Sequence, residues 1–175
     1  MELKDGALAL RRWRMEDLDA LVAAVHDPEI GRWMPAIPYP YTRSDGESYL
    51  EGAVTRVGSF AIVDPETDRL LGAITLSVRK WSRAEIGYWV RREERGRGIA
   101  PRALELISAW GFERGYRRLQ LHADVENIAS QRVAEKAGYR REGLLRAWIE
   151  QDGVPRDHLL YSLLASDAAG AATVS

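Results

Sequence analysis

Tyr88-Trp89-Val90-Arg91-Arg92-Glu93-Glu94-Arg95-Gly96-Arg97-Gly98-Ile99-Ala100 is an apolar run that feeds a loop rich in glycine and arginine, and the loop opens a helix. Glycine lets backbone approach a ligand closely, and the first amides of a helix have no partner within it. Converging N–H groups, with about half a positive charge from the helix dipole, make such a junction an anion cradle suited to a pyrophosphate. Five arginines stand against two glutamates from Arg91 to Arg102, a local excess of positive charge on a chain whose formal net charge is −1. A P-loop needs a lysine after its second glycine and a dinucleotide fingerprint needs a third glycine; neither is here. As loop composition alone, a solvated charged turn punctuated by glycine fits equally well.

Upstream of this junction, Glu85 to Val90 reads as a strand. Phe60 to Val63 and Leu70 to Val78 read as an antiparallel hairpin around Asp64-Pro65-Glu66-Thr67-Asp68. Ala7 to Trp13 alternates as a strand does, and Met15 to His26 carries Leu18, Leu21, Val22 and Val25 at helical spacing. Three prolines between Trp33 and Tyr41 forbid a helix there and predict an ordered loop. Ser44-Asp45-Gly46-Glu47 matches a capping box that starts a second helix.

Downstream, Pro101 suits a first helical turn, and Ala103, Leu104, Ile107 and Trp110 form an apolar face that ends near Gly115. Leu119 to Val125 alternates as a strand, Asn127 caps a helix running to Ala137, and Gly138 terminates it. Gly143 to Glu150 and Arg156 to Leu164 flank Asp152-Gly153, a hairpin signal. Residues 1–165 thus read as one domain and 166–175 as a disordered tail. The order of elements predicts an α+β fold, a mixed sheet with helices on its faces.

The 175 residues, 46% hydrophobic and 29% charged, exclude disorder as the main state. The absence of cysteine excludes a disulfide framework, a thiolate zinc site and a cysteine nucleophile. No run approaches the roughly 18 apolar residues of a membrane helix, and Met1 to Asp5 lacks the apolar core of a signal peptide. A cytoplasmic protein with no membrane partner is expected. Near-neutral charge argues against direct nucleic-acid binding, and no residue spacing suggests a metal.

Arg95-Gly96-Arg97-Gly98-Ile99-Ala100 resembles the Arg/Gln-x-x-Gly-x-Gly/Ala signature of the GNAT acyl-CoA-dependent N-acetyltransferases. Ala84 to Val90, Asn127 to Tyr139 and Pro38 to Asp45 resemble the RimJ/RimL branch, and the likeness runs in order from about Ala7 to Leu164. It implies a mostly antiparallel central sheet with a splayed strand pair, Tyr88 to Val90 beside Leu119 to Val125, and helices on both faces. It also implies acetyl-CoA as acyl-donor co-substrate, held by Tyr88, Trp89, Val90, Arg95, Gly96, Arg97, Gly98, Ile99, Ala100, Asn127 and Ser130. An amide near Val90 would stabilise the oxyanion of acyl transfer.

Acyl transfer to an amine needs a base, and an acid can reprotonate the departing thiolate. Glu85 occupies the position of a catalytic Glu in certain relatives, and a carboxylate among Ile86, Tyr88 and Trp89 is expected to have a raised pKa. An ion pair with a nearby arginine is its other reading. The tyrosine that many relatives use as acid is replaced by Ala134, which leaves Ser130 as the candidate hydroxyl, or no acid at all. His122 and Asp124 share a strand face and could relay a proton or shape the acceptor pocket. Trp33, Tyr39, Tyr41, His122 and Trp148 fall on the family's variable acceptor side. The function implied is direct acetyl transfer to a primary amine, first a protein or peptide N-terminus of the ribosomal-protein kind. The alternatives are a small-molecule amine such as an antibiotic or polyamine, and a CoA-binding protein without catalysis. Homodimers are frequent in the family.

Overall fold

The computed structural model describes residues 2–171; positions 172–175 of the expected tail lie outside the described residues. Eight strands among the described residues form one sheet in the order β1-β2-β3-β4-β5-β6-β8-β7. They are β1 (Glu2–Lys4), β2 (Ala9–Arg11), β3 (Ser59–Val63), β4 (Leu70–Arg79), β5 (Arg83–Val90), β6 (Arg118–Asp124), β7 (Arg140–Gln151) and β8 (Val154–Leu164). Among the described residues six helices accompany them: α1 (Leu18–Val25), α2 (Pro28–Trp33), α3 (Arg43–Ala53), α4 (Ile99–Glu113), α5 (Ile128–Lys136) and α6 (Ala165–Ala171). The sheet is mostly antiparallel, and β5 with β6 is its parallel pair. Two compact units share the chain, Met1–Thr75 with Tyr88–Leu106, and Leu76–Gly87 with Ile107–Ser175, so β4, β5 and α4 each contribute to both.

In the first unit α1 to α3 pack on the sheet through Leu18, Leu21, Val25, Ile30, Leu50 and Ala53, which share a buried cluster with Ala9, Ala61, Ala73 and Trp89. Arg11, 6% exposed, grips Asp17 with two 2.8 Å hydrogen bonds and Asp68 with one of 2.6 Å, so this buried cation is fully paired. One short helix is unassigned by the sequence reading, and one expectation is corrected. Pro28–Trp33 is a short helix, started by Asp27, whose carboxylate accepts the Glu29 amide at 3.1 Å. The cap of α3 is Thr42 rather than Ser44: Thr42 Oγ1 accepts the Asp45 amide at 3.2 Å and Asp45 accepts the Thr42 amide at 2.8 Å. The box reads Thr-x-x-Asp, and its shorter acidic arm still reaches back.

The β3/β4 ladder shifts register where Ile62 pairs Gly72 but Val63 pairs Leu70, a bulge that leaves Leu71 without a partner residue. The Arg91 amide donates to the Leu71 carbonyl at 2.9 Å. A Cβ on Gly72 would collide with the Trp89 carbonyl oxygen and lie 3.1 Å from Val90 Cα. The bare glycine therefore lets the end of β5 lie this close.

In the second unit β6 pairs with β8 over its whole length, and β7 with β8 forms the expected hairpin about Asp152 (φ 52°) and Gly153 (φ 76°). The β5/β6 ladder covers three pairs, Arg83↔Arg118, Ala84↔Leu119 and Glu85↔Gln120. Ala165–Ala171 is helical where a disordered tail is expected. Alanine is the best helix former, and Asp167 accepts the Leu164 amide at 3.2 Å to cap the turn.

Candidate functional site

The predicted cradle lies wholly in the first unit. A single 3-10 turn, Arg92–Glu94, follows β5, and Gly96 (φ 76°) and Gly98 (φ 78°) bend the chain into α4. A Cβ at either glycine would meet nothing within 4 Å, so the loop presents bare backbone on an open side. The Arg102 amide closes onto the Gly98 carbonyl at 3.4 Å. Pro101 has no amide proton, and the amides of Gly96, Arg97, Gly98, Ile99 and Ala100 have no carbonyl acceptor among the described residues. Five backbone donors in a row, at the start of a 15-residue helix, fit a diphosphate.

The arginines of this loop are less available than their number suggests. Arg95 donates to Asp27 at 2.5 Å, to Glu29 at 2.6 Å and to the Val90 carbonyl at 3.2 Å. Arg97 and Arg69 both bind Glu94, which is 3% exposed and whose carboxyl lies below its ordinary value, first through Arg69. Arg91 pairs with Glu93 at 2.7 Å. Acidic partners inside and outside the loop thus offset much of the local excess, and the anion affinity falls chiefly to backbone amides. Arg92 and Arg102 have no ion-pair partner among the described residues.

Tyr88 is half-buried while Trp89 and Val90 are buried. Trp89 lines a cavity of about 210 Å³ together with Tyr41, Tyr49, Leu21, Val25 and Ile37. Burial pushes the Tyr41 phenol up to about 12, so it is a neutral hydroxyl there. Of the expected acceptor residues in this unit only Tyr41 reaches the cavity. Tyr39 is 57% exposed with its ring 6.4 Å from that of His26, and the Arg32 guanidinium covers Trp33 at 4.4 Å.

The second unit holds the proton-handling candidates. Glu85 on β5 has His122 Nε2 at 3.6 Å and Arg79 at 3.1 Å on Oε1, with Gln120 at 3.5 Å on Oε2. His122, opposing burial, and then Arg79 hold its carboxyl down at about 2. This corrects the expectation of a raised pKa. Ile86 is buried and adjacent in sequence, but strand neighbours point to opposite faces, so Glu85 meets the polar side of β6. The ion pair with an arginine is present.

His122 Nδ1 lies 2.9 Å from Nδ1 of His158, and the Trp148 ring stands edge-on to His122 at 5.8 Å. Asp124, the other residue on that face, is bound by Arg156 at 2.8 Å and accepts the Glu126 amide at 2.7 Å, so it braces the strand end. Asn127 caps α5 by accepting the Ser130 amide at 3.0 Å, which sets Ser130, half-buried, in the first turn. Ala134 is fully buried and offers no hydroxyl. The structure therefore groups Tyr88 to Ala100 with Tyr41 in one unit. It groups Glu85, His122 and Trp148, and Asn127 with Ser130, in the other.

His158 escaped sequence reasoning. It sits on a strand facing Asp124, and only the β6/β8 register brings it against His122. Trp148 reaches His122 because β7 breaks register between Leu145 and Ile149, where Ala147 adopts φ 48° and its amide donates to Asp157 at 2.7 Å. Alanine carries no sequence signal for that conformation. Among the described residues no group of acidic, histidine or cysteine side chains could hold a metal, and no helix is long and apolar enough to cross a membrane.

Residues 7–140 match the family described as Acetyltransferase (GNAT) domain. The chain is 30% identical over 173 residues to the uncharacterised N-acetyltransferase p20 of Bacillus licheniformis, covering 93% of this chain and 96% of that protein. A GNAT-family acetyltransferase of Bacillus anthracis superposes with a TM-score of 0.87 at 24% identity, over 94% of this chain and 98% of the other. RimJ of Mycobacterium smegmatis, solved in complex with CoA-disulfide, superposes with a TM-score of 0.80 at 26% identity, over 95% and 87% respectively.

Proposed function

The chain belongs to the GNAT acetyltransferase family, and on that premise we propose that it moves an acetyl group from acetyl-CoA directly to the α-amine of a protein or peptide. The observation that carries the donor half is the row of five unpartnered amides from Gly96 to Ala100 between two positive-φ glycines and α4. Acetyl-CoA, when bound, supplies the acetyl group already activated as a thioester. The amides hold its diphosphate, and Arg102, without an ion-pair partner among the described residues, adds charge beside them. No cysteine exists to carry the acyl group, so transfer is direct. The group around Glu85 and His122 removes a proton from the amine, and Ser130, placed in the first turn of α5 by the Asn127 cap on its amide, carries the hydroxyl that protonates the departing sulfur.

The α-amine as acceptor rests on the similarity to RimJ and on the RimJ/RimL-like stretches of sequence. Thiol release from acetyl-CoA, followed with the full chain over a panel of peptides and small amines, tests it. Turnover is expected with free peptide N-termini and not with the same peptides blocked. Turnover confined to polyamines or other small amines would move the acceptor class. Tight CoA binding without turnover on any amine would leave a CoA-binding protein.

A further inference from the structure

Resting on the acetyltransferase reading above, we propose that His122, rather than Glu85, takes the proton of the attacking amine, with His158 as the positioning residue that fixes its tautomer and Glu85 as the carboxylate facing the other ring nitrogen. The geometry is that of a chain of three groups. Glu85 Oε1 lies 3.6 Å from His122 Nε2, and His122 Nδ1 lies 2.9 Å from His158 Nδ1. Two imidazole nitrogens at that distance share one proton, so one ring donates and the other accepts.

If His158 donated, His122 would carry its own proton on Nε2 and have no lone pair left for a substrate. If His122 donates, its Nε2 lone pair is the base, on the side where Glu85 waits. His158 is 5% exposed, and burial, followed by the charge of His122, disfavours its protonated form, which suits it as the neutral acceptor. Glu85 is a poor base because its oxygens already accept from Arg79 at 3.1 Å and Gln120 at 3.5 Å. That same carboxylate faces Nε2, the nitrogen at which the proton arrives. Trp148 on β7 covers one edge of the ring.

The groups that face this chain are Arg79 on β4, Gln120 on β6 and Trp148 on β7, while Asp124, Arg156 and Asp157 surround His158. In the step itself, an N–H bond of the acceptor ammonium breaks, its electron pair stays on the amine nitrogen, and the proton forms the Nε2–H bond of His122. The second proton, lost after attack, ends on the leaving sulfur as a thiol, and the imidazolium releases the first to solvent.

Two measurements on the full chain decide the matter. In the first, kcat/KM is followed against pH with the best acceptor of the panel. His122→Gln is expected to lose about 100-fold or more and to lose the enzyme-borne acid limb. Glu85→Gln is expected to lose about tenfold, chiefly in kcat, and to keep that limb, since His122 still takes the proton. The acceptor's own ionisation contributes a limb common to all variants. Near-wild-type kcat/KM in His122→Gln, with abolished activity in Glu85→Gln, would overturn the proposal in favour of the carboxylate. Unchanged melting temperature and CoA affinity guard against misfolding.

The second measurement needs no acceptor. Ring 15N chemical shifts of neutral His122 are expected to show the Nδ1–H tautomer in the wild type and the Nε2–H tautomer in His158→Leu. An Nε2–H tautomer in the wild type overturns the proposal. If the panel shows no turnover at all while the tautomers behave as expected, it is the functional reading that fails.

Discussion

Gly72 has no room for a side chain, because the space where a Cβ would stand is occupied by the backbone of β5 at Trp89 and Val90. A backbone obstacle cannot rotate away as the end of a flexible side chain can. Gly72→Ala is therefore expected to lower stability by about 1–3 kcal/mol in urea unfolding. It should also raise the KM for acetyl-CoA, because Trp89 and Val90 precede the cradle directly. A variant with wild-type unfolding midpoint would show that β5 shifts freely. Nothing in Leu70-Leu71-Gly72-Ala73 announces this role, since the close approach is between segments distant in sequence. The same reason hid the state of Glu85. Its neighbours Ile86, Tyr88 and Trp89 suggest an apolar site, whereas Arg79, Gln120 and His122 determine its charge.

At the scale of elements, the strand and helix types were legible wherever periodicity ran long enough, as in β4, α4 and β8, and the loop opening α4 was legible from its glycines. Boundaries set by a single hydrogen bond were not, and α3 shows why. Ser44 and Thr42 are both good capping residues, and only the backbone geometry at Thr42, extended at φ −101° and ψ 166°, decides between them. Thr42→Ala is expected to cost about 1 kcal/mol by thermal or urea unfolding, whereas Ser44→Ala, exposed within the first turn, should stay within about 0.5 kcal/mol. Equal losses would contradict the assigned cap. The loop before α4 admits a matching test. Gly98 has φ 78°, and an alanine there costs about 1–2 kcal/mol. Its methyl would also stand on the open side of the amide row. Gly98→Ala should therefore weaken CoA binding about tenfold or more by calorimetry, and an unchanged affinity would take the diphosphate away from this loop.

At the scale of the whole molecule, titration couples to stability in one direction. Glu85 and Glu142 are held down at about 2 from an ordinary 4.5, the first by His122 and the second by Arg118, and Asp68, Glu94 and Asp124 are also lowered by arginine partners. A carboxylate with a depressed folded pKa contributes fully above its unfolded value, and the contribution is lost as pH falls through the folded one. For Glu85 and Glu142 the loss begins near 4.5 and continues to about 2. Glu85 contributes at most about 3 kcal/mol, and Glu142, with 39% of its side chain exposed, less because water screens the pair. His158 acts earlier. Its folded pKa is lowered from 6.5, so the unfolded chain binds the proton more readily, and stability falls with pH from about 6.5 downward. The urea unfolding free energy is thus expected to be level above pH 7, to decline gently below about 6.5, and to steepen below 4.5. His158→Leu should abolish the gentle phase and keep the steep one, because the carboxylates retain their arginines. A wild-type profile level down to pH 5 would mean that His158 is protonated as easily in the fold as out of it, and would remove the neutral acceptor on which the orientation of His122 depends.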